Sequence, residues 1–387
     1  MKKFSKSLIF KLFVAIALGL VIGLFASEPV INVINTIKYV LGQIIFFAVP
    51  LIIIGFIAPS IAQLKSNASR LLGYALLASY LSSIGAAFMS TFAGYAIIPK
   101  LNIVNNTEGL KKLPEIIFKL EIPPIMPVMS ALFFSIFVGL ATAWTGSELT
   151  EKLLVEFQNI VLEIVNKVII PIIPFFTAST FATLAYQGSI TTLLPVFIKA
   201  IVIVLIGHFI WIAVLYLIAG AMSGKNPMKV LKYYGPAYVT AVGTMSSAAT
   251  LPVALKCAKK SDILRDDIRD FTIPLCANIH LCGSVLTETF FVMTISQVLY
   301  GKMPSVSTMV LFVLLLGIFA VGAPGVPGGV VMASLGIVTS VLGFNDAGTA
   351  LLITIYALQD SFGTACNVTG GGAIALILTG IANKKGL

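Results

Sequence analysis

The chain has 387 residues, of which 58% are apolar and only 10% charged, and it carries a formal charge of +10; its mean hydropathy is +1.03. A water-facing domain carries about 25% charged residues, so soluble enzymes and disordered chains are both excluded. Apolar stretches of roughly 20 residues recur from end to end, which implies one integral membrane unit over 1–387, built of helices rather than barrel strands.

In chain order, Lys2, Lys3, Lys6 and Lys11 precede an apolar run from Leu12 to Ala26, the layout of a secretion signal. No small-x-small cleavage site stands out, so the run reads as a first span, near 8–26, left uncleaved. Further apolar stretches near 37–63, 71–98, 122–145, 153–185 and 192–222 bring the predicted spans to six by residue 226. The loop from Lys100 to Glu121 is the longest polar interruption, and its Asn105-Asn106-Thr107 sequon matters only in a glycosylating host. In the fifth stretch Glu163 and Lys167 stand four apart, the spacing of a pair on one helix face.

The basic residues decide what the net charge means. Of the 25 Lys and Arg, 16 lie in the amino terminus, the loops at Lys65/Arg70, Lys225 to Lys232 and Lys256 to Arg269, and the tail with Lys384 and Lys385. That asymmetry follows the positive-inside rule. It predicts both termini in the cytoplasm of a multi-pass cytoplasmic (inner) membrane protein, with the excess charge facing anionic lipid and no nucleic acid bound.

From about 228 the apolar segments become short and broken. Four interruptions stand out: 245–250 (MSSAAT), 278–284, 322–329 (GAPGVPGG) and 367–372 (NVTGGG). Backbone that leaves helical geometry at membrane depth is tolerated only where protein buries it or where it lines a wet cavity. Two interruptions read as tips between short apolar arms and two as breaks inside longer helices. Such broken helices in corresponding halves point to a transporter's binding site near the midplane. The plain alternative, that Gly and Pro merely kink packed helices, explains one interruption more easily than four.

With these residues in view, the chain resembles the dicarboxylate/amino acid:cation symporter family, which includes glutamate and neutral amino acid transporters. The resemblance spans nearly the whole chain and rests on the serine-rich tip before Thr250-Leu251-Pro252, the unwound seventh span, the Gly325-Val326-Pro327-Gly328 tip, and Asp360 to Gly371. It implies an all-α fold of eight transmembrane helices plus two opposed re-entrant hairpins. It also implies a scaffold-rich part over 1–226, a transport core over 227–387, a homotrimer and an elevator-type movement.

The departures from the family pattern are informative. The family's Asn-Met-Asp-Gly-Thr stands here as His280-Leu281-Cys282-Gly283-Ser284, and the last-helix motif keeps Asp360, Thr364, Asn367 and Val368 but has Gly363 for its Arg and Gly371 for its final Asp. Both lost carboxylates are sodium ligands in the relatives, and a hard cation favours oxygen donors that a thiol and a glycine do not supply. Backbone carbonyls with Tyr80, Ser82, Ser83 and Asn367 leave at most a weak remnant cation site. The reading is therefore proton coupling, with sodium as the alternative.

Only Glu288 and Asp360 lie well inside apolar segments of the final third, and an ionised side chain there costs several kcal/mol, so each needs a partner or a proton. Glu288 matches the position where the proton-coupled glutamate transporters carry a glutamate, and a carboxyl that sheds its charge in oil suits a proton carrier. His280 is a second candidate, since imidazole titrates at about pH 6.5; its alternative is a neutral residue hydrogen-bonded in the helix break. Asp360 matches the family position that pairs with a substrate's amino group, the alternative being a carboxylate that pins its helix to Ser or Thr neighbours. Gly363 removes the planar guanidinium suited to an acidic side chain. The resemblance leaves the substrate carboxylate to the hairpin tips, Ser246-Ser247 and Gly322, Ala323, Gly325 and Val326, with Ser284 and Asn367 beside them, where backbone N–H groups and helix ends favour an anion. A small neutral amino acid fits these residues.

Cys257, Cys276, Cys282 and Cys366 show no paired spacing. Cys276, His280 and Cys282 form C-x3-H-x-C without an evident fourth ligand, an improbable metal site. His208 beside Trp211 reads as a packed residue, no nucleophile, phosphate loop or dinucleotide fingerprint is visible, and no cofactor is expected. Rival classes are a sodium-coupled amino acid or dicarboxylate symporter, a channel or receptor on the same scaffold that has lost coupled transport, and, more distantly, an intramembrane enzyme using His280, Cys282 and Glu288.

Overall fold

The computed structural model describes residues 8–62, 70–101, 113–188 and 190–386. Lys2, Lys3, Lys6, Lys65 and the Asn105-Asn106-Thr107 sequon lie outside the described residues. The described chain is helical, and six of its helical stretches are long and apolar enough to cross a membrane.

The first half contains α1 (Leu8–Phe25), α2 (Glu28–Ala62), α3 (Arg70–Ile97), α4 (Val128–Thr145), α5 (Glu148–Ile164), α6 (Ile170–Gln187) and α7 (Ile190–Ser223). The stretch predicted from 122 starts as helix only at Val128, because Pro123, Pro124 and Pro127 lack N–H donors and disfavour helical geometry in the residues before them. α5 and α6 are joined through a π-helical turn, Val165–Ile169, just ahead of Pro171. A proline there leaves the carbonyl one turn earlier without its usual donor, and a widened turn absorbs the mismatch. Glu163 and Lys167 form the expected pair at 2.7 Å.

Residues 113–122 run as a strap along α2, fixed by four contacts. Asn32 Nδ2 donates to the Glu115 carbonyl at 2.5 Å and Asn35 Nδ2 to that of Pro114 at 3.0 Å. The Ile117 N–H donates to Thr36 Oγ1 at 2.9 Å and the Ile122 N–H to Gln43 Oε1 at 3.2 Å. Backbone with no partner of its own thus borrows side chains from the helix it crosses.

After the short α8 (Met228–Leu231), the second half is built from α9 (Gly235–Thr244), α10 (Ser247–Ala258), α11 (Asp266–Ile279), α12 (Cys282–Tyr300), α13 (Val306–Gly322), α14 (Gly329–Ser340) and α15 (Asp346–Lys385). α9 and α10 fold into a hairpin at Met245, whose φ of 54° is the one left-handed non-glycine conformation among the described residues; Ser246 then caps α10 by accepting from the Ala249 N–H at 3.2 Å. α13 and α14 form the second hairpin, and Gly328, at φ 71°, admits the turn into α14. α11 and α12 are one span broken at His280 and Leu281, both extended or non-helical.

Three of the four predicted interruptions therefore leave helical geometry, and the fourth does not. α15 runs unbroken from Asp346 to Lys385 through Asn367 to Gly372. Its glycines serve close packing instead: a Cβ on Gly370 would lie 2.5 Å from the His280 ring, and one on Gly372 would lie 2.6 Å from the Tyr216 hydroxyl.

Two groups of helices share the molecule. α1 packs on α6, and α2 on α4, α5 and α6; α12 and α15 pack on each other and draw in α3, α7, α9, α10 and α11. α12 and α15 are almost wholly enclosed by protein, whereas Phe13, Phe92, Phe137 and Phe209 stand exposed on the outer helices, the apolar surface a bilayer covers.

Candidate functional site

The helix break is held open from across the core. The first N–H groups of a helix have no intrahelical acceptor, and at the start of α12 that acceptor is the Asn367 side chain of α15. Its Oδ1 accepts from the Gly283 N–H at 2.7 Å and the Ser284 N–H at 3.2 Å, while its Nδ2 donates to Ser284 Oγ at 2.9 Å. Asn367, predicted to hold a substrate carboxylate, is thereby engaged as a cap in trans.

The two hairpin tips meet here. Ser246 Oγ donates to the Gly325 carbonyl at 2.7 Å, and the Ala248 N–H approaches the same oxygen at 3.3 Å. The Gly328 N–H donates to Asp360 Oδ2 at 2.7 Å, so the second hairpin is tied to α15 as well as to the first. Between them lies a cavity of about 10 Å³ bordered by Ser247, Leu281, Ser284, Val326, Asp360 and Thr364. That is space for about one water and not for an amino acid; the site is closed.

The structure brings Ser247, Ser284, Gly325, Val326, Asp360, Thr364 and Asn367 to this cavity. Ser246 is spent on the tip-to-tip contact. Gly322 packs against Ile57 of α2, and Gly363 lies against the backbone of Gly283 and Ser284, where even a methyl group would be in ordinary contact. Pro324, inside the predicted tip, borders the cavity as well, and so do Leu281, Gly329 and Val330, which the sequence does not single out; they sit inside motifs already noticed, and only the fold shows which way they face. Tyr356 is a further omission. It is fully buried, lies close to both Asp360 and Glu288, and stands one helical turn before Asp360, a same-face spacing that could have found it.

Glu288 and His280 lie outside the cavity walls. Glu288 is fully buried; Ser334 Oγ of α14 contacts its Oε1, and among the described residues its Oε2 has no hydrogen-bond partner. Because Ser334 Oγ also reaches the Val331 carbonyl at 3.1 Å, its hydrogen can turn either way. The hydroxyl donates to an ionised Glu288 or, with its hydrogen on Val331, accepts from a protonated one.

His280 has a similar arrangement. Its Nδ1 lies 3.3 Å from the Asn367 carbonyl, which can only accept, so Nδ1 carries a hydrogen. Its Nε2 lies 2.9 Å from Ser82 Oγ of α3, a hydroxyl able to donate or accept. His208 is the contrast: Nε2 donates toward the Gly283 carbonyl and Thr287 Oγ1, each at 3.0 Å, and among the described residues its buried Nδ1 has no partner. A second hydrogen on that ring would be buried unpaired, which fixes His208 as neutral.

The two positions where the resemblance to the family leads one to expect sodium-binding carboxylates hold other chemistry. Cys282 Sγ faces Cys366 Sγ at 4.0 Å, and Gly371 packs near Cys276. Tyr80 donates to the Leu314 carbonyl of α13 at 3.3 Å, whereas the Ser83 hydroxyl is buried without a partner; these contacts give Tyr80, Ser83 and Asn367 no common neighbour. Among the described residues no three of His, Cys, Asp and Glu are arranged to hold a metal ion.

A larger cavity, about 580 Å³, adjoins the tips and is bordered by Gln158 and Asn159 of α5, Asn278 of α11 and residues 321–326 of the second hairpin. Pro324, Gly325 and Val326 border both spaces, so this tip is the partition between the closed site and the wider vestibule.

A sequence profile of the sodium:dicarboxylate symporter family matches residues 8–381. Mouse excitatory amino acid transporter 2 is 29% identical over 288 residues, 71% of this chain and 48% of that protein; the human protein of the same name is 30% identical over 259 residues, 65% and 44% respectively. The chain thus spans about half the length of the curated relatives it matches. With two opposed hairpins, a broken span capped from the last helix and a profile match over nearly all of its residues, this chain belongs to the sodium:dicarboxylate symporter family.

Proposed function

We propose that this protein is a secondary active symporter for a small neutral amino acid, driven by protons and working by alternating access. In this reading both termini face the cytoplasm and three copies assemble in the cytoplasmic membrane. The helices around α12 and α15 form the moving unit, and α1, α2, α4, α5 and α6 belong to the fixed one. Asp360 binds the substrate ammonium once the second hairpin gives up its Gly328 N–H contact, and the tip N–H groups with Ser247 and Thr364 receive the carboxylate. Glu288 carries the proton, exchanging roles with Ser334 in its two charge states, and Tyr356 lies between the two carboxyls.

The observation that carries the reading is the buried Glu288 with one unpartnered oxygen and a neighbour able to serve both protonation states. An intramembrane carboxyl without a cationic partner is a functional feature before it is a structural one. The substrate class rests on Asp360 at the tips together with Gly363, packed on the Gly283–Ser284 backbone, which offers no guanidinium to an acidic side chain.

A second reading, a sodium-driven carrier of acidic amino acids or dicarboxylates, is favoured by the family description and by the names of the relatives. Uptake of labelled alanine, serine, leucine and aspartate into proteoliposomes separates the two. Under the first reading an inward proton gradient drives a neutral amino acid and a sodium gradient does not. Aspartate uptake that follows sodium and ignores pH overturns it.

A further inference from the structure

At the opposite end of α15 from Lys384 and Lys385, a cavity of about 230 Å³ opens between α2, α6 and the first turn of α15. Lys38 and Asp346 border it, Phe46 and Phe176 supply an apolar wall, and Ile116 of the strap closes one side. It shares no residue with the cavity at the hairpin tips.

An ammonium group has three hydrogens to place, and among the described residues the Lys38 amine makes a single hydrogen bond, a long one of 3.5 Å to Thr183 Oγ1. The Asp346 carboxylate is near enough for its charge to act on Lys38, yet among the described residues no ion pair joins them. Of the neutral polar groups that border the cavity, Gln43 Oε1 and Asn35 Nδ2 hold the strap, while the other atoms of both amides and the Tyr39 hydroxyl add polar capacity to the wall. The half-buried Lys38 and the solvent-exposed Asp346 thus border one cavity without pairing with each other, a cation and an anion beside the apolar wall of Phe46 and Phe176.

We propose that this cavity is a second binding site, for a small zwitterion such as a neutral amino acid, with its carboxylate on Lys38 and its ammonium on Asp346. The occupant ties α2 to α15 and so fixes the two helix groups relative to each other. Occupancy favours the conformation described here over any in which the groups have slid apart. The inference is independent of the transport reading, because it uses none of the tip residues.

Equilibrium dialysis of the purified protein against labelled L-alanine and L-leucine tests it, in an Asp360→Asn background that disables the tip site. Residual saturable binding is expected, weakened about tenfold or more by Lys38→Met and by Asp346→Asn. Butyrate and butylamine, which each lack one charge, should not compete for it. Absence of residual binding, or residual binding that both substitutions leave unchanged, overturns the proposal. Should Asp360→Asn fail to fold, the wild-type isotherm is read instead. Two classes of site, one removed by Lys38→Met, support the proposal; a single class indifferent to Lys38 overturns it. Failure of the transport reading would remove only the class that depends on Asp360.

Discussion

Glu288 and Asp360 are both buried carboxyls, but their contacts give them different work. Asp360 accepts a backbone N–H from the second hairpin, a bond to a fixed donor that serves the ionised form and, in the proposed function, is exchanged for a substrate ammonium. Glu288 faces a hydroxyl that can reverse its polarity, so gaining or losing a proton strands no partner there. Glutamine at 288 keeps the shape and one hydrogen bond while removing the titration. Glu288→Gln is therefore expected to bind substrate within about threefold of the wild type, less than 1 kcal/mol, while pH-driven accumulation in proteoliposomes collapses to simple equilibration. Accumulation that survives with its pH dependence intact would remove Glu288 from the coupling step.

Among the elements, the second hairpin is the most constrained by backbone geometry. A Cβ on Gly325 would lie 2.5 Å from the Ala277 carbonyl and 3.4 Å from the Ala248 nitrogen, so the tip seats against α11 and the first hairpin only because this residue has no side chain. Overpacking of this kind costs about 1–3 kcal/mol. Since the clash is with backbone, it should be relieved by lifting the tip. Gly325→Ala is expected to weaken substrate binding about tenfold, and to make a Ser247→Cys reporter more reactive toward water-soluble thiol reagents. Unchanged affinity and reactivity would mean the tip is not the gate. The sequence marks both tips and the break at His280 because Gly, Pro and Ser interrupt apolar runs there. The same signal misleads at Gly370 to Gly372, where small residues admit the His280 ring and two tyrosines. Gly as a breaker and Gly as a close-contact surface look alike until the neighbour is known. Asn367 is similar: its motif is visible in the sequence, but capping a helix 83 residues earlier in the chain is a tertiary fact.

At the scale of the whole molecule, the two cavities beside the helix groups lie at different ends. The larger one is bordered by Ile61 near the end of α2, Gln158 of α5 and Asn278 near the end of α11 and adjoins the hairpin tips; the smaller one lies by the start of α15. On the proposed orientation, with the lysine-rich loops on the cytoplasmic side, the closed site communicates with that side through one partition, residues 324–326. The exposed Asn278 side chain is a suitable reporter, because the four native cysteines are buried, none more than 4% exposed, and provide a quiet background. In sealed vesicles of known orientation, Asn278→Cys is expected to react with a membrane-impermeant maleimide added on the cytoplasmic side and not on the other. Substrate that drives the moving unit toward the opposite face should slow the reaction, because α11 would slide away from the vestibule. Labelling from the outer side alone would invert the orientation read from the basic loops, and labelling indifferent to every condition that supports transport would mean that α11 does not move relative to α2 and α5.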